Sequence, residues 1–267
     1  MSCCSFQGYG WYIERMSRQA KNKKVNATVV VEKTPSYFVT EEVPARVHAM
    51  NSSAKIILVV KDPVTRLLSD YSQLAAKWRR YVLRLFIYLD LGHVSTPYLV
   101  YFGRRHANIT FEQQRMIQPS FEGFVTKGGA GGAVDDTNEA VARSIYVFSM
   151  RKWMQTFNRS QIHIVNGESL VKTPWVELNK VERFVGLPQE ISKANFEFVH
   201  SKGFHCLRLQ QYKHHSNKKY VKCLAKTKGR RHPKVRPELM HKLRAFFRPY
   251  NFEFYDLIGN DHGWPED

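Results

Sequence analysis

The two ends of one stretch, VVVEKTPSYF (Val29–Phe38) and KIILVVKDPVTRLLSDYSQ (Lys55–Gln73), decide the fold. Each begins with β-branched and apolar residues and stops at a charged turn that contains proline, which is typical of a buried strand. The second end then continues with a helical spacing of Leu67, Leu68 and Tyr71. The stretch therefore predicts strands at Val25–Lys33 and Lys55–Val60, with a short helix at Glu41–Met50 between them and a helix after the second strand.

Polar residues follow each predicted strand at the point where it ends. Lys33, Thr34 and Ser36 follow the first strand, and Lys61 and Ser69 follow the second. Ligands of open α/β sheets bind beyond the carboxyl ends of the strands, so we expect these residues at one edge of the sheet. Two lysines and several hydroxyls at one edge suit an anionic ligand, most simply a phosphate.

The chain is strongly basic. Its 267 residues include 41 Lys and Arg against 23 Asp and Glu, which leaves a formal charge of +18. Ser201–Tyr250 carries 15 of the basic residues and a single acidic one, Glu238. A field of this sign attracts polyanions without selecting among them, so charge alone leaves nucleic acid and sulfated glycan open as ligands.

The same patterns predict the later elements, and 43% hydrophobic residues allow one buried core. Apolar spacing over Ala140–Phe157 predicts a core helix, and alternation over Gln161–Val165 predicts a strand. Thr173-Pro174 is a typical start for an amphipathic helix over Trp175–Val185, and Pro237–Gly259 predicts a helix with aromatic packing.

Several blocks of the sequence resemble one enzyme family. EKTPSYF is followed by KDPVTRLLSDY, and the likeness resumes near Pro119 through SIYVFSMRKWMQTF and QIHIVNGESLVKTPWVELNKVERFVGL. It continues through KGFHCL, KCLAKTKGRRHP and RAFFRPYNFEFYDLIGNDHGW. These blocks resemble the heparan sulfate glucosamine 3-O-sulfotransferases, Golgi enzymes that take sulfate from 3′-phosphoadenylyl sulfate.

The resemblance implies a fold and a reaction. The fold would be α/β, a parallel sheet flanked by helices similar to the P-loop nucleotide kinases, in one domain over Gly8–Asp267. The reaction would transfer a sulfuryl group to the 3-hydroxyl of glucosamine in heparan sulfate, without a metal. The alternatives are a non-catalytic heparin- or polyanion-binding protein and another carbohydrate sulfotransferase, such as an N-sulfotransferase; a nucleic-acid partner is not expected.

The resemblance also assigns roles to residues. Lys33 would be catalytic, because an ammonium at a strand end can stabilise charge on the transferred sulfuryl group. Lys61 stands where the family more often has arginine, which keeps the charge but loses the bidentate geometry. The implied glycan contacts are Lys33, Thr34, Pro35 and Ser36; the implied donor contacts are Lys61 and Ser69 at the 3′-phosphate and a covering segment of Lys228, Gly229, Arg230, Arg231 and His232.

Two regions depart from the family. Before Gly8 we find no Gly-rich loop for the 5′-phosphosulfate, no acidic segment with the catalytic Glu and no membrane anchor, so we expect the start to be missing and donor binding to be weakened. Glu32 is not assigned to the missing role because it would point away from Lys33 on a strand. Tyr81–Gln118 has no counterpart and is either a real insertion or translated non-coding sequence, of which we favour the second. The activity of this chain is therefore left open.

The cysteines bear on the compartment. Cys206 and Cys223 bracket a polar, turn-prone segment that a covalent link would stabilise, and the resemblance supports a disulfide between them. A zinc site is the rival, given His205, His214 and His215, although no CxxC or HxxxH spacing appears. A disulfide predicts an oxidising compartment, here the Golgi lumen. Four N-x-S/T sequons point the same way, at Asn26, Asn51, Asn108 and Asn158.

Overall fold

The computed structural model describes residues 29–90, 120–213, 216–225, 229–230 and 232–267, excepting the side chains of 78–90 and 210–219. The strands are β1 (Ile56–Val60), β2 (Ile162–Asn166), β3 (Phe196–Val199), β4 (Phe204–Lys213) and β5 (Ser216–Lys222). The helices are α1 (Val43–Met50), α2 (Pro63–Asp90), α3 (Phe121–Val125), α4 (Glu139–Ala142), α5 (Tyr146–Thr156), α6 (Gly167–Lys172), α7 (Pro174–Val185) and α8 (Pro237–Ile258).

Strands β1 and β2 form a parallel pair, with Ile56 opposite Ile162 and Val60 opposite Asn166. Parallel strands need a long crossover, and here helices α2 to α5 lie between them in the chain. Because the strands are parallel, their carboxyl ends meet at one edge. The mixture of helices with a parallel sheet is the α/β class that the sequence predicts.

Strands β3, β4 and β5 form a separate antiparallel sheet in that order. The segment between the two cysteines has a turn-prone composition, yet its described residues form the hairpin of β4 and β5. A disulfide joins Cys206 in β4 to Cys223, the residue after β5, across a sequence separation of 17. The hairpin therefore combines backbone pairing with a covalent link.

The core lies where α2, α5 and α8 pack together. Leu67 of α2, Met150 of α5 and Phe247 of α8 are each fully buried. The helical spacing of Leu67, Leu68 and Tyr71 is thus confirmed, because the two leucines are buried and the tyrosine ring lies 5.5 Å from that of Phe121. Burial of these side chains is the main favourable term in holding the helices against the parallel pair.

The predictions of α1, β1, β2, α7 and α8 are confirmed, with ends shifted by one or two residues. The predicted helix over Ala140–Phe157 is interrupted at Arg143–Ile145, and it forms α4 and α5 instead. At the interruption the guanidinium of Arg66 donates to the carbonyl oxygen of Ala140 (3.0 Å) and to Ser144 Oγ (2.7 Å). Arg66 therefore has the supporting role of satisfying polar groups at the break.

The predicted strand at Val25–Lys33 is wrong where the structure describes it. Residues 29–34 have no regular secondary structure, and the side chains of Val30 and Val31 are 62% and 71% exposed. A β-branched run becomes a strand only when a neighbouring strand accepts its backbone hydrogen bonds, and β1 pairs with β2. Residues 25–28 lie outside the described chain.

Helix α2 extends to Asp90, ten residues into the segment Tyr81–Gln118 that the sequence analysis set apart. The remainder of that segment lies outside the described residues. Among the helices that the structure does describe, none combines the length and the apolar character needed to cross a membrane.

Candidate anion-binding site

Lys61 is the first residue after β1 and is half-buried at the carboxyl edge of the parallel pair. The facing position after β2 is Gly167, the first residue of α6. A Cβ atom on Gly167 would lie 2.4 Å from Lys61 Cγ and 2.6 Å from the carbonyl oxygen of Val60. Glycine at this position therefore allows α6 to begin directly against the aliphatic part of Lys61.

The peptide bond between Lys61 and Asp62 is held from both sides. Its carbonyl oxygen accepts a hydrogen bond from the Tyr146 hydroxyl at 2.9 Å, and its N–H donates to Glu168 Oε1 at 3.0 Å. Tyr146 is the first residue of α5, and Glu168 lies in the first turn of α6. Two helices that are distant in sequence thus fix the plane of one peptide at the end of β1.

Asp62 is 5% exposed and caps helix α2. Its Oδ2 accepts from the backbone N–H of Thr65 (2.9 Å) and from Thr65 Oγ1 (2.6 Å), and its Oδ1 accepts from the N–H of Val64 (3.4 Å). The first N–H groups of the helix are therefore already satisfied by a carboxylate of the chain. An anion at this edge would be bound by side chains rather than by the amino end of α2.

Ser69 lies on α2 and is exposed. The helix that carries it begins two residues after Lys61, and its start is fixed by the cap of Asp62. Lys61 thus lies on the turn before α2 and Ser69 lies within α2, and their sharing of one ligand stays a prediction.

The KTPS run lies on an irregular segment instead of at the end of a strand. Lys33, Pro35 and Ser36 are exposed, while Thr34 is half-buried and its hydroxyl donates to Glu32 Oε1 at 2.7 Å. Since the segment is not a strand, Glu32 and Lys33 need not point to opposite faces as strand alternation would require.

The end of this segment is attached to α5. The indole N–H of Trp153 donates to the carbonyl oxygen of Phe38 at 3.0 Å, and the Phe38 ring lies 6.3 Å from that of Tyr146. Tyr146 therefore contacts both the turn that holds Lys61 and the aromatic residue that ends the KTPSYF run.

The predicted covering segment is only partly described, because Lys228 and Arg231 lie outside the described residues. Gly229 has a φ of +69°, and a Cβ at this position would lie 2.9 Å from Cε1 of Phe204. A left-handed backbone and close contact with β4 both favour glycine. Arg230 is half-buried and His232 is exposed.

His232 and Lys61 interact electrostatically. Although the His232 side chain is largely exposed, nearby protein atoms remove part of its solvent and lower its pKa below the usual 6.5, and the positive charge of Lys61 lowers that pKa further. A histidine can feel the charge of a lysine only at short range in this environment. His232 therefore lies within electrostatic range of Lys61, although the two are far apart in sequence.

Sequence reasoning missed Tyr146, Gly167 and Glu168 as residues of this edge. Asp62 could have been found as a helix cap, because it directly precedes Pro63 at the first helical position. The other three gave no local signal, because their contacts with Lys61 and Asp62 depend on the packing of α5 and α6.

Within the described ranges, no group of three or more His, Cys, Asp or Glu is arranged to hold a metal ion.

Residues 11–257 match the sulfotransferase domain family. The chain belongs to this family. Within it, the chain is 35% identical over 97% of its length to heparan sulfate glucosamine 3-O-sulfotransferase 3B1 of Mus musculus, of which it covers 54%. It is 34% identical, again over 97% of its length, to heparan sulfate glucosamine 3-O-sulfotransferase 5 of Homo sapiens, of which it covers 62%.

The chain thus spans between half and two thirds of the length of these relatives. A solved sulfotransferase from Alicyclobacillus acidocaldarius has a similar fold, with a TM-score of 0.54, 15% identity and coverage of 96% of this chain and 72% of that one. The structural likeness at this identity supports the fold, and the sequence likeness identifies the family.

Proposed function

We propose that this sulfotransferase domain transfers a sulfuryl group from 3′-phosphoadenylyl sulfate to the 3-hydroxyl of glucosamine in heparan sulfate. The observation that carries the proposal is the 34–35% identity, over nearly the whole chain, to proteins named as heparan sulfate glucosamine 3-O-sulfotransferases. The charge of +18 supports a polyanionic substrate.

The donor nucleotide is compatible with the edge around Lys61. Lys61 supplies a positive charge, and Tyr146 and Glu168 fix the backbone peptide that follows it. Ser69 is exposed on the adjoining helix. An ammonium and a hydroxyl are suitable donors to the oxygens of a 3′-phosphate. We assign Lys61 and Ser69 to this group, with Gly229, Arg230 and His232 beside it and Lys228 and Arg231 as the undescribed part of the same segment.

The KTPS run would serve the acceptor. In the transfer, the glucosamine hydroxyl oxygen forms a bond to sulfur, the bond between sulfur and the donor phosphate breaks, and the hydroxyl proton passes to a base. Lys33 would stabilise the negative charge on the transferred group, since its ammonium is exposed and available to a ligand. Thr34, Pro35 and Ser36 would contact the glycan beside it.

The finer assignment of compartment is also a proposal. A disulfide between Cys206 and Cys223 is favoured by an oxidising environment, and Golgi enzymes that sulfate glycans work in such a lumen. We therefore place the chain in the Golgi lumen as a glycoprotein, with heparan sulfate as its macromolecular partner.

The activity is tested by transfer of radiolabelled sulfate from the donor to heparan sulfate, followed by disaccharide analysis. Label at glucosamine O-3 would support the proposal, and label at the amino group would favour an N-sulfotransferase. A folded chain that binds heparin but transfers no label would favour a non-catalytic heparin-binding protein.

The donor site is tested by binding of 3′-phosphoadenosine 5′-phosphate. Lys61→Ala should abolish this binding while heparin affinity remains, because the basic surface is spread over the last third of the chain. Lys152→Ala is the matched control, since it removes one half-exposed positive charge that pairs with Glu41 elsewhere. Retention of nucleotide binding by Lys61→Ala would contradict the assigned 3′-phosphate site.

A further inference from the structure

The Lys61–Asp62 peptide is unusual because side chains satisfy both of its polar groups. Turn peptides commonly bond to water or to nearby backbone, whereas this one bonds to the Tyr146 hydroxyl (2.9 Å) and to the Glu168 carboxylate (3.0 Å). The two partners approach the peptide from different helices. A rotation of the peptide plane would break both bonds together.

The chemistry of both partners suits a permanent contact. Tyr146 is 6% exposed, and burial raises the pKa of its hydroxyl well above the usual range, so the group stays protonated and able to donate. The contact of the Asp62 N–H with Glu168 is a bond to a carboxylate, which is shorter and stronger than a bond between neutral groups when the carboxylate is ionised. Both of these contacts go to the backbone of Lys61 and Asp62 and leave the Lys61 ammonium free of them.

The fixed peptide controls two ligand contacts at once. The torsions on either side of it set the direction of the Lys61 side chain and the position of the Asp62 cap, which begins the helix that carries Ser69. Gly167 also restrains the Lys61 side chain, because the start of α6 packs so closely against it that a Cβ on Gly167 would not fit between them. A ligand that binds both residues gains affinity if their relative placement is set before binding.

We propose that Tyr146 and Glu168 are positioning residues that hold Lys61 in the orientation that binds the 3′-phosphate of the donor nucleotide. The inference rests on the proposed function, because it deepens the 3′-phosphate site. It assigns to this site two residues that do not touch the phosphate and that act through one backbone peptide. Replacing either side chain should therefore reduce the contribution of the 3′-phosphate to binding affinity. The contribution of the rest of the nucleotide to that affinity should stay the same.

The experiment compares two nucleotides that differ only in the 3′-phosphate. The dissociation constants of 3′-phosphoadenosine 5′-phosphate and adenosine 5′-phosphate are measured for the full chain. The constant for adenosine 5′-phosphate divided by that for 3′-phosphoadenosine 5′-phosphate gives the gain in affinity from the 3′-phosphate alone. Tyr146→Phe should reduce this ratio about tenfold, as expected for loss of one well-placed hydrogen bond. Glu168→Ala should do the same, whereas Glu168→Gln should retain most of the ratio because its amide oxygen can still accept.

Matched controls separate positioning from general stability. Tyr255→Phe removes another buried hydroxyl, which accepts from the Trp264 N–H, and Glu182→Gln changes a buried carboxylate that accepts from Ile191. Both controls should keep the full ratio even where they lower the melting temperature. Thermal melting of every variant identifies any that fail to fold, and Tyr146→Phe is conservative enough to decide the question alone.

The outcomes are distinct. An unchanged ratio in Tyr146→Phe and Glu168→Ala would overturn the positioning role while the 3′-phosphate site stands. The ratio also stays unchanged when both affinities fall equally, and this effect of a structural defect would likewise overturn the positioning role. A wild-type ratio near one, unaltered by Lys61→Ala, would overturn the proposed site and the inference together.

Discussion

Gly167 is the residue whose replacement should disturb the site most directly. A Cβ there would lie 2.4 Å from Lys61 Cγ and 2.6 Å from the Val60 carbonyl oxygen, so the strand end or α6 must move. We expect Gly167→Ala to lower the free energy of unfolding by about 1–3 kcal/mol, as is usual for overpacking. It should also weaken binding of 3′-phosphoadenosine 5′-phosphate, and denaturant unfolding with nucleotide titration measures both effects.

Gly186→Ala is the control for this prediction. Gly186 ends α7 with a φ of +83°, and a Cβ there would meet no atom within 4 Å. Its replacement strains the backbone and costs stability of about 1–3 kcal/mol, but it is not expected to change nucleotide affinity. Equal effects of the two variants on affinity would contradict a specific role for the contact between Gly167 and Lys61.

His232 should make nucleotide binding depend on pH. Its pKa lies below 6.5 in the free protein because of partial burial and then the charge of Lys61, so it is neutral at pH 7. A bound phosphate would offset the charge of Lys61 and favour the imidazolium, which raises the pKa in the complex. Binding should therefore take up a proton, and affinity should rise as the pH falls from about 7.5 toward the usual histidine value of 6.5.

Calorimetric titrations in two buffers of different ionisation enthalpy count the protons taken up. The ligand phosphate also titrates in this range, so the informative quantity is the difference between the wild type and His232→Gln. His241→Gln, which changes an exposed histidine on α8, is the control and should behave as the wild type. Identical proton uptake in His232→Gln and the wild type would show that His232 does not sense the bound phosphate.

At the scale of elements, the hairpin of β4 and β5 should depend on its disulfide. The bond between Cys206 and Cys223 closes a loop over a separation of 17 residues. In the chain-entropy account, a link over a loop of this size stabilises the fold by about 3 kcal/mol. The Cys206→Ala/Cys223→Ala variant should therefore unfold at lower denaturant concentration than the wild type.

The same variant should bind the nucleotide more weakly, because Gly229 packs on Phe204 at the start of β4. The control is Cys3→Ser/Cys4→Ser, which removes the other two thiols and should match the wild type in both measurements. If nucleotide affinity survives loss of the disulfide, the hairpin does not position the covering segment. Equilibrium unfolding and nucleotide titration of the two double variants decide this.

The elements also show what could be predicted from sequence. Strands β1 and β2 were predictable because their apolar runs end at polar turns, and α7 and α8 because each has proline in its first turn and an apolar stripe. The strand predicted over Val25–Lys33 is wrong over residues 29–33, the part that the structure describes, since these residues fit a strand but no partner accepts their hydrogen bonds there. Local preference decides what a segment can form, and pairing decides what it does form.

The candidate site divides in the same way. Lys61 and Ser69 are candidates from the sequence because Lys61 directly follows the predicted strand and Ser69 lies in the helix that begins after it. Tyr146 and Glu168 could not, because each is separated from Lys61 by more than 80 residues and contacts it only after α5 and α6 have packed. The contacts of Tyr146 and Glu168 therefore depend on tertiary structure, whereas the proposed ligand contacts of Lys61 and Ser69 were suggested by a local pattern.

At the scale of the whole molecule, two sequons lie at the end opposite the site. Asn51 and Asn158 come shortly before β1 and β2, and because the strands are parallel they share the edge opposite Lys61. Gln161 Nε2 joins the two loops by donating to the carbonyl oxygens of Ser52 (2.8 Å) and Ala54 (3.2 Å). Both asparagines are exposed, and Asn51 Oδ1 accepts from the Ser53 N–H at 2.9 Å, which holds that sequon in a turn.

We therefore expect N-linked glycans on Asn51 and Asn158 when the chain, joined to a secretion signal, is expressed in cultured animal cells. In the modification, the amide nitrogen forms a bond to the first sugar carbon, loses a proton and displaces a lipid pyrophosphate. Asn51→Gln and Asn158→Gln should each increase electrophoretic mobility by one glycan, and an amidase that removes N-glycans should abolish the differences. Asn260→Gln is the control, because this exposed asparagine is not in a sequon.

The position of these sequons also predicts how the same variants should behave in activity and binding measurements. Glycans at the amino ends of β1 and β2 leave the carboxyl edge accessible, so loss of either glycan should not change sulfate transfer or nucleotide affinity. A chain whose Cys206–Cys223 disulfide has formed but whose mobility is unaffected by both substitutions would contradict glycosylation at this edge. Full glycosylation combined with reduced transfer by the glycosylated form would instead show that the heparan sulfate chain passes over this end of the molecule.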